Sequence, residues 1–498
     1  MELLLLAASP LILILILLLF VRMKMFTASI ITLIYTSLLS FFYWRVLSSE
    51  LLGAGLKGVL VGFDITLIIG GALLFIQYLK NTGRMSKLEK MLESISTDVR
   101  VQTVFLAWFL CSFLEGTAGF GVPAAVVAPL LVTLGIKPIT AVAIALLGDT
   151  LAVSFGAVGT PIRIGFESLP IENVAFYTGL LNLVIAVVIP IAMLIILELS
   201  FKKRDWRKTR QLIPFATYCG LAFSIPFTLL SYFGNEYPSL VGSLIGMGLV
   251  FTTTKLGFLL PRSMKLTNRR KKISFDDVLT VIIPYVVFVF LLVYLKPLLP
   301  KFTFAVSQQI SHSLSLYNPG IIFIVALLIV AIIKQEKWGV ISAAKSVGQK
   351  LFYPFVSILS ITAIVQIMVY SYANTSGLES MITIVASVLQ NDALIHISPF
   401  IGAFGAFIAG SGTVSNLLFG ELQAAAAVSI GYPVALILAL QLTGAAMGNM
   451  ISLTNIVAAQ STVGISGKER EILKLTILPT IGYLLLVGFC ALILLQFI

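Results

Sequence analysis

"FLEGTAGFGVPAAV", Phe113 to Val126, decides how this chain folds, because it lies between apolar runs yet carries one carboxylate, three glycines and a proline. A backbone surrounded by lipid has no water to satisfy its amides and carbonyls. Helix breakers at membrane depth are therefore tolerated only where protein or an aqueous cavity replaces the lipid. The first question is whether the rest of the chain is membrane.

It is. The 498 residues are 59% hydrophobic and 11% charged, with mean hydropathy +1.06, more apolar side chain than a soluble core can absorb. The opening stretch "ELLLLAASPLILILILLLF" has no basic n-region and no small-residue cleavage site before the next apolar run, so it is expected to be a first spanning helix. A net charge of +12 would suggest nucleic acid in a soluble protein; here the Lys and Arg sit in short loops, where they orient the chain. Cys111, Cys219 and Cys490 are scattered, without metal-ligand or CxxC spacing, and are expected as packing residues.

Apolar runs of spanning length occur near 2–21, 25–45, 57–79, 139–163, 173–199, 212–232, 238–260, 277–297, 318–334, 351–372, 431–460 and 472–497. Two more, about 101–134 and 396–426, are interrupted by small and polar residues. With the N-terminus outside and each interrupted stretch entering and leaving on one face, the cytoplasmic segments are 22–24, 80–100, 202–210, 262–272, 334–350 and 468–474. These hold 26 of the 33 Lys and Arg, whereas "GNEYPS" and "ANTSG" on the other side hold none. The fold class is thus all-α and polytopic, with about 12 spanning helices plus two re-entrant hairpins.

The first hairpin starts and ends inside and the second outside, the pattern of an inverted repeat. Its order agrees. "FLEGTAGFGVPAAV" is followed by "GIKP" and a run broken at "GDTLAVSFGAVGTPI" (148–162); "FIAGSGTVSNLLFG" (407–420) is followed by "GYP" and a run broken at "TGAAMGNMISLTNI" (443–456). Gly116 to Gly135 is 19 residues and Gly410 to Gly431 is 21, while Gly116 to Gly156 is 40 and Gly410 to Gly448 is 38. The expected segments are 1–100 (scaffold helices and a cytoplasmic amphipathic stretch carrying Met85, Leu88, Met91, Leu92 and Ile95), 101–165 (first hairpin and broken helix), 166–395 (scaffold and connecting helices), 396–465 (second hairpin and broken helix) and 466–498 (C-terminal helix).

Broken elements mark a site. Half-helix N-termini present free amides and a positive dipole end to an anion, and unwound carbonyls can hold a cation. Gly119 and Gly121 permit a tight tip, with Pro123 in the first turn of the returning helix. Thr117 in the first hairpin and Ser411, Thr413, Ser415 and Asn416 in the second are candidate substrate-binding donors, as are Asn449 and Ser452 at the second break. The bland alternative for small residues is close helix packing. Glu115 and Asp149 lie in apolar surroundings where a charge is costly, which makes them candidate proton carriers; the alternative for Glu115 is a structural acid that accepts from the hairpin backbone. Arg163 is a candidate carboxylate clamp, or a snorkelling interfacial arginine. His312 and His396 read as solvated or structural. No catalytic residue, metal site or cofactor is expected.

These residues also resemble a known family. "FLEGTAGFGVPAAVVAPLLVTLGIKPITAVAIALLGDTLAVSFGAVGTPI" is similar to the first signature of the L-lactate permease family, and "GSGTVSNLLFGELQAAAA" and "TGAAMGNMISLTNIVAA" are similar to the second. The resemblance is strong over about 105–165 and 400–465. It implies proton symport of lactate or glycolate, and, through a wider group of anion transporters with paired hairpins, an elevator-like motion. Three departures stand out: Gly412 where the resemblance implies an acid, Asn449 where it implies a lysine, and Asp149 with Arg163 where it implies Asn and an apolar residue. They leave open a relocation of charge between the halves or a different substrate.

The expected function is proton-coupled symport of small monocarboxylates across the plasma membrane, with sodium-coupled organic anion transport as the alternative and a structural subunit as a remote one. An enzyme is not expected, because no His or Cys cluster and no sizeable loop domain is present. Expected partners are a small organic anion, a proton and the bilayer, with a homodimer as an open expectation.

Overall fold

A computed structural model describes residues 2–21, 23–87, 96, 98–117, 119, 122–167, 169–260 and 275–497. In chain order the elements are α1 Glu2–Leu19, α2 Met25–Phe42, α3 Ser48–Asn81, α4 Val99–Thr117, α5 Val122–Thr133, α6 Pro138–Asp149, α7 Gly156–Arg163, α8 Val174–Ser200, α9 Trp206–Gln211, α10 Ile213–Phe233, α11 Pro238–Lys255 and α12 Phe275–Leu295. A hairpin, β1 Lys301–Ala305 and β2 Ser311–Ser315, is followed by α13 Pro319–Ile333, α14 Lys337–Val369, α15 Met381–Ala386, α16 Leu394–Ala409, α17 Gly412–Ile430, α18 Val434–Ile451, α19 Leu453–Thr462 and α20 Glu469–Leu495.

The fold is that of an all-α polytopic membrane protein. Every predicted span falls on a helix. Among the described residues eight helices are long and apolar enough to cross a membrane, nine if the bent pair 138–163 counts as one, and six further apolar helices have 10–17 residues. The polar stretch around His312, expected as a loop, forms the antiparallel β1–β2 hairpin with Lys301 opposite Ser315 and Ala305 opposite Ser311. Of the amphipathic stretch, Met85 is buried, and Leu88, Met91, Leu92 and Ile95 lie outside the described residues.

The chain packs as two units: Met1–Ser86 with Phe275–Leu394 and Leu417–Gly431, and Lys87–Ser274 with Ile395–Asn416 and Tyr432–Ile498. In the first, α3 runs alongside α14. At ~1.5 Å per residue its 34 residues reach about 51 Å, well beyond a hydrocarbon thickness of ~30 Å. The apolar run in the sequence starts near 57, whereas the helix begins at Ser48 and takes in Glu50 as well as Lys57. Both are buried, and both are paired: the Ser307 hydroxyl donates to Glu50 at 2.6 Å, and Lys57 donates to the Tyr370 hydroxyl at 2.8 Å. Burying a charge is tolerable only with such partners.

In the second unit α4 starts at an N-cap, Asp98, whose carboxylate accepts from the Arg100 amide at 2.8 Å. The helix widens into a π turn over Phe105–Leu110, and α5 packs back against its second half. The α6 run then bends by 40° at its break. The second repeat has the same order: α16 turns into α17, and the following helix breaks at Ser452 (φ −61°, ψ 130°) between α18 and α19. Segments 101–165 and 432–465 thus lie in one unit, together with the second tip.

That unit is tied at the end of α8. Arg100 donates to Glu198 Oε2 from Nε at 3.0 Å and from Nη2 at 2.8 Å, the Thr209 hydroxyl donates to the same oxygen at 2.8 Å, and the Asp205 amide reaches Oε1. Glu198 is fully buried. Replacing it with Ala leaves Arg100 and Thr209 facing a hole, a loss of about 3 kcal/mol. The expected result is a clear fall in the unfolding midpoint of the purified protein; an unchanged midpoint would show that the tie contributes nothing.

Candidate functional site

Two glycines close the hairpin tips. Gly119 (φ +62°) sends its amide to the Glu115 carbonyl at 3.1 Å, and Gly410 (φ +69°) sends its own to the Ala406 carbonyl at 2.8 Å. Left-handed backbone costs glycine nothing, so each α-helix ends there without strain. Beyond Gly410, Ser411 caps α17, its hydroxyl accepting from the Val414 amide at 3.4 Å. Residues 412 and 413 therefore sit in the first turn of a 19-residue helix, where amides lack intrahelical partners and the dipole is positive.

Between the tips is a cavity lined by Glu115, Gly119, Val153, Gly156, Ala157 and Pro161 from the first repeat, and by Gly410, Ser411, Gly412, Thr413 and Asn449 from the second. Its volume is about 20 Å³ as traced by the centre of a water molecule, within about 270 Å³ of empty space. That holds water or a very small ligand. A larger one needs the tips to part.

The first wall is unusual in its backbone. After the 3-10 segment Leu151–Phe155, Ala157 (φ 41°), Val158 (φ 59°) and Gly159 (φ 76°) are all left-handed. For β-branched Val158 this conformation is costly and persists only because the surroundings impose it, a feature that concentrates at functional sites. Gly156 leaves room for the Glu115 carboxylate, which a methyl at its Cα would push aside.

The structure brings both candidate acids together. Glu115 faces the cavity, Asp149 ends α6, and the two carboxyls are buried near enough to feel each other's charge. Among the described residues, Glu115 Oε2 and both Asp149 carboxyl oxygens are buried and receive no hydrogen bond. The alternative of a backbone acceptor is therefore not what Glu115 does with Oε2. Sequence spacing sets these residues 34 positions apart and gives no sign that they lie near each other.

Of the candidate binding residues, Gly119, Ser411, Thr413 and Asn449 lie on the wall; Gly121 lies outside the described residues. The others are placed differently from the expectation. The Thr117 hydroxyl donates to the Leu114 carbonyl at 2.8 Å, one turn back on its own helix, rather than facing the cavity. Ser415 donates to the Gly402 carbonyl at 2.7 Å and ties the two limbs of the second hairpin, whereas Asn416 donates to the Pro161 carbonyl at 2.9 Å and joins that hairpin to the first repeat. Ser452 pairs with Thr454 at 2.8 Å. Arg163 has its guanidinium 3.8 Å from Glu236, which takes up its charge away from the wall.

Three residues that the sequence reading passed over complete the support. Gln441 donates to Ser415 Oγ at 3.0 Å and to Asn416 Oδ1 at 3.2 Å. A lone glutamine inside "VALILALQLTG" was the available signal. Asn455 donates to Asn449 Oδ1 at 2.7 Å and to the Gly410 carbonyl at 3.4 Å, which fixes the second tip to the second break. Asn182 donates to Ser154 at 3.3 Å and accepts from the Tyr483 hydroxyl.

The same segments carry the likeness to known proteins. The family model described as L-lactate permease matches residues 4–310 and 303–498. The L-lactate permease of Streptococcus iniae is 30% identical over 444 residues, covering 85% of this chain and 90% of its own. That of Escherichia coli K12 is 27% identical over 530 aligned positions, covering 97% and 94%. Among solved structures, Neisseria gonorrhoeae MtrF, described as illuminating a class of antimetabolite efflux pumps, aligns with TM-score 0.46 and 13% identity over 93% of this chain and 83% of that one. Spanning helices, paired broken hairpins and a family match over nearly the whole chain lead to one conclusion: this multi-pass protein of the cell membrane belongs to the L-lactate permease family.

Proposed function

We propose that the protein is a secondary active transporter that moves small monocarboxylates, 2-hydroxy acids such as L-lactate and glycolate, together with protons. The observation that carries this reading is the charge inventory of the cavity: one carboxyl, Glu115, with a second, Asp149, near it, and among the described residues no Lys or Arg on the wall.

The coupling follows from electrostatics. Two carboxyls buried near each other away from solvent repel when both are charged, and a proton on either one relieves that repulsion. A substrate carboxylate at the start of α17 takes hydrogen bonds from first-turn amides, from the Ser411 and Thr413 hydroxyls and from the Asn449 amide. Placing that anion beside an ionised Glu115 is costly, because no fixed cation offsets the repulsion. With the proton in place, the repulsion is gone. Anion and proton therefore favour each other's binding, which is the thermodynamic requirement for symport. A monocarboxylate of several heavy atoms enters only when the two tips part.

The test is uptake into proteoliposomes of labelled lactate, glycolate, pyruvate and a dicarboxylate, driven by an alkaline interior or by a sodium gradient alone. Uptake of one or more monocarboxylates under the pH gradient, indifferent to sodium, is expected. Failure of every monocarboxylate, or drive by sodium without a pH gradient, would overturn the reading.

A further inference from the structure

The second unit contains another cavity, about 450 Å³, between α8 and α20, with Leu147 of α6 and Met447 and Met450 of α18 as its floor. Its lining is hydrocarbon throughout except at Lys474 and Tyr483, and the Tyr483 hydroxyl is already bound to Asn182. Lys474 is exposed and has no ion-pair partner among the described residues. The groove runs from Lys474 to Leu486 on α20 and from Ile185 to Leu199 on α8, about 18 and 21 Å at ~1.5 Å per residue. That slightly exceeds the hydrocarbon depth of one leaflet, half of ~30 Å.

The charged end has a direction. Leu199 lies in the last turn of α8, just before "FKKRDWRKTR", and Lys474 lies in the first turns of α20. Both segments, 202–210 and 468–474, are cytoplasmic by their Lys and Arg content. One end of the groove is thus basic and at the inner interface, while the remainder is apolar and reaches toward the membrane midplane. Rim residues Val188, Ile195 and Leu478 are exposed, and nothing lies within 4 Å of where a side chain on Gly482 would begin. We propose that this groove binds one acyl chain of an anionic glycerophospholipid of the cytoplasmic leaflet, with the lipid phosphate on Lys474.

The occupant touches the turns that carry the candidate site. Leu147 is two residues before Asp149, Met450 accepts from the Thr150 hydroxyl at 3.6 Å, and Tyr483 reaches the 3-10 segment through Asn182 and Ser154. A bound chain therefore braces both breaks from behind, and binding to the folded state alone raises its stability.

The experiment is thermal unfolding of the full chain in detergent with added phosphatidylglycerol or phosphatidylcholine of matched chain length, together with light scattering. Phosphatidylglycerol is expected to raise the midpoint more than phosphatidylcholine does. Lys474→Gln should reduce the phosphatidylglycerol response to that of phosphatidylcholine, a loss of about fivefold in apparent affinity. Gly482→Leu, which fills the groove, should blunt both responses. Lys468→Gln, which removes a cation paired with Glu471 outside the groove, should change neither. Wild-type lipid responses in both groove variants would overturn the proposal. So would a Gly482→Leu protein that changes its oligomeric mass while keeping its lipid responses, since the groove would then seat a second copy of the chain.

Discussion

Glu115→Gln is expected to abolish concentrative uptake while leaving substrate exchange in place. Gln has nearly the shape of Glu, carries no titratable proton and presents a neutral amide to the cavity, so it imitates the protonated partner permanently. An anion then binds at any pH, and no proton need accompany it. In proteoliposomes with an alkaline interior, the accumulation ratio should fall to about one, while counterflow against preloaded substrate continues and loses its pH dependence. A Glu115→Gln protein that still accumulates substrate to the wild-type ratio would remove the acid from coupling. Asp149→Asn leaves Glu115 beside a neutral amide. Because the repulsion that the proton relieves needs both carboxyls, accumulation should fall there too, and an unchanged ratio would confine coupling to Glu115.

The second large effect is structural. Gly448→Val is expected to prevent recovery of folded protein, and Gly148→Val likewise. A Cβ on Gly448 of α18 would fall on the Ala403 carbonyl of α16, and one on Gly148 of α6 would fall on the Ala107 carbonyl of α4. Both repeats thus pack their broken helix on the first limb of their hairpin at backbone distance, as small residues allow in membranes. Neither obstacle is a flexible side chain that can swing away. The cost is at the upper end of overpacking, about 3 kcal/mol or more for each valine. Size-exclusion profiles of fluorescently tagged variants would test this: a monodisperse Gly448→Val peak with the wild-type midpoint would contradict the packing described.

The sequence reading located the hairpins because the signals that mark them are local. Gly119 and Gly410 take left-handed backbone at the tips, and Pro123 lies in the first turn of α5. Both requirements belong to single residues and can be read one position at a time. The spans were legible for the same reason, since a run of about twenty apolar residues matches the hydrocarbon thickness as a helix and is too apolar to face water. α3 was read too short. Glu50 and Lys57 resemble an interface in sequence and become interior only once Ser307 and Tyr370, more than 250 positions away, supply partners.

The roles of polar side chains were less legible. Thr117, Ser415 and Asn416 carry the right donors near the right glycines, yet their hydrogen bonds go to Leu114, Gly402 and Pro161. Whether a hydroxyl faces a cavity or its own helix depends on rotation about the helix axis, and a short irregular segment does not reveal that rotation. Arg163 shows the same limit, since Glu236 lies 73 positions further along.

The sequence by itself determined the solvent of this protein, its helical class, the two interrupted repeats and the family to which it belongs, because composition and local backbone chemistry suffice for each. Only the tertiary structure decided that Glu115 and Asp149 are buried near each other, that both tips share one cavity, and that no cation among the described residues lines it. Those facts depend on distances between residues far apart in the chain. Such distances are set by helix packing at glycine contacts, which no local pattern encodes.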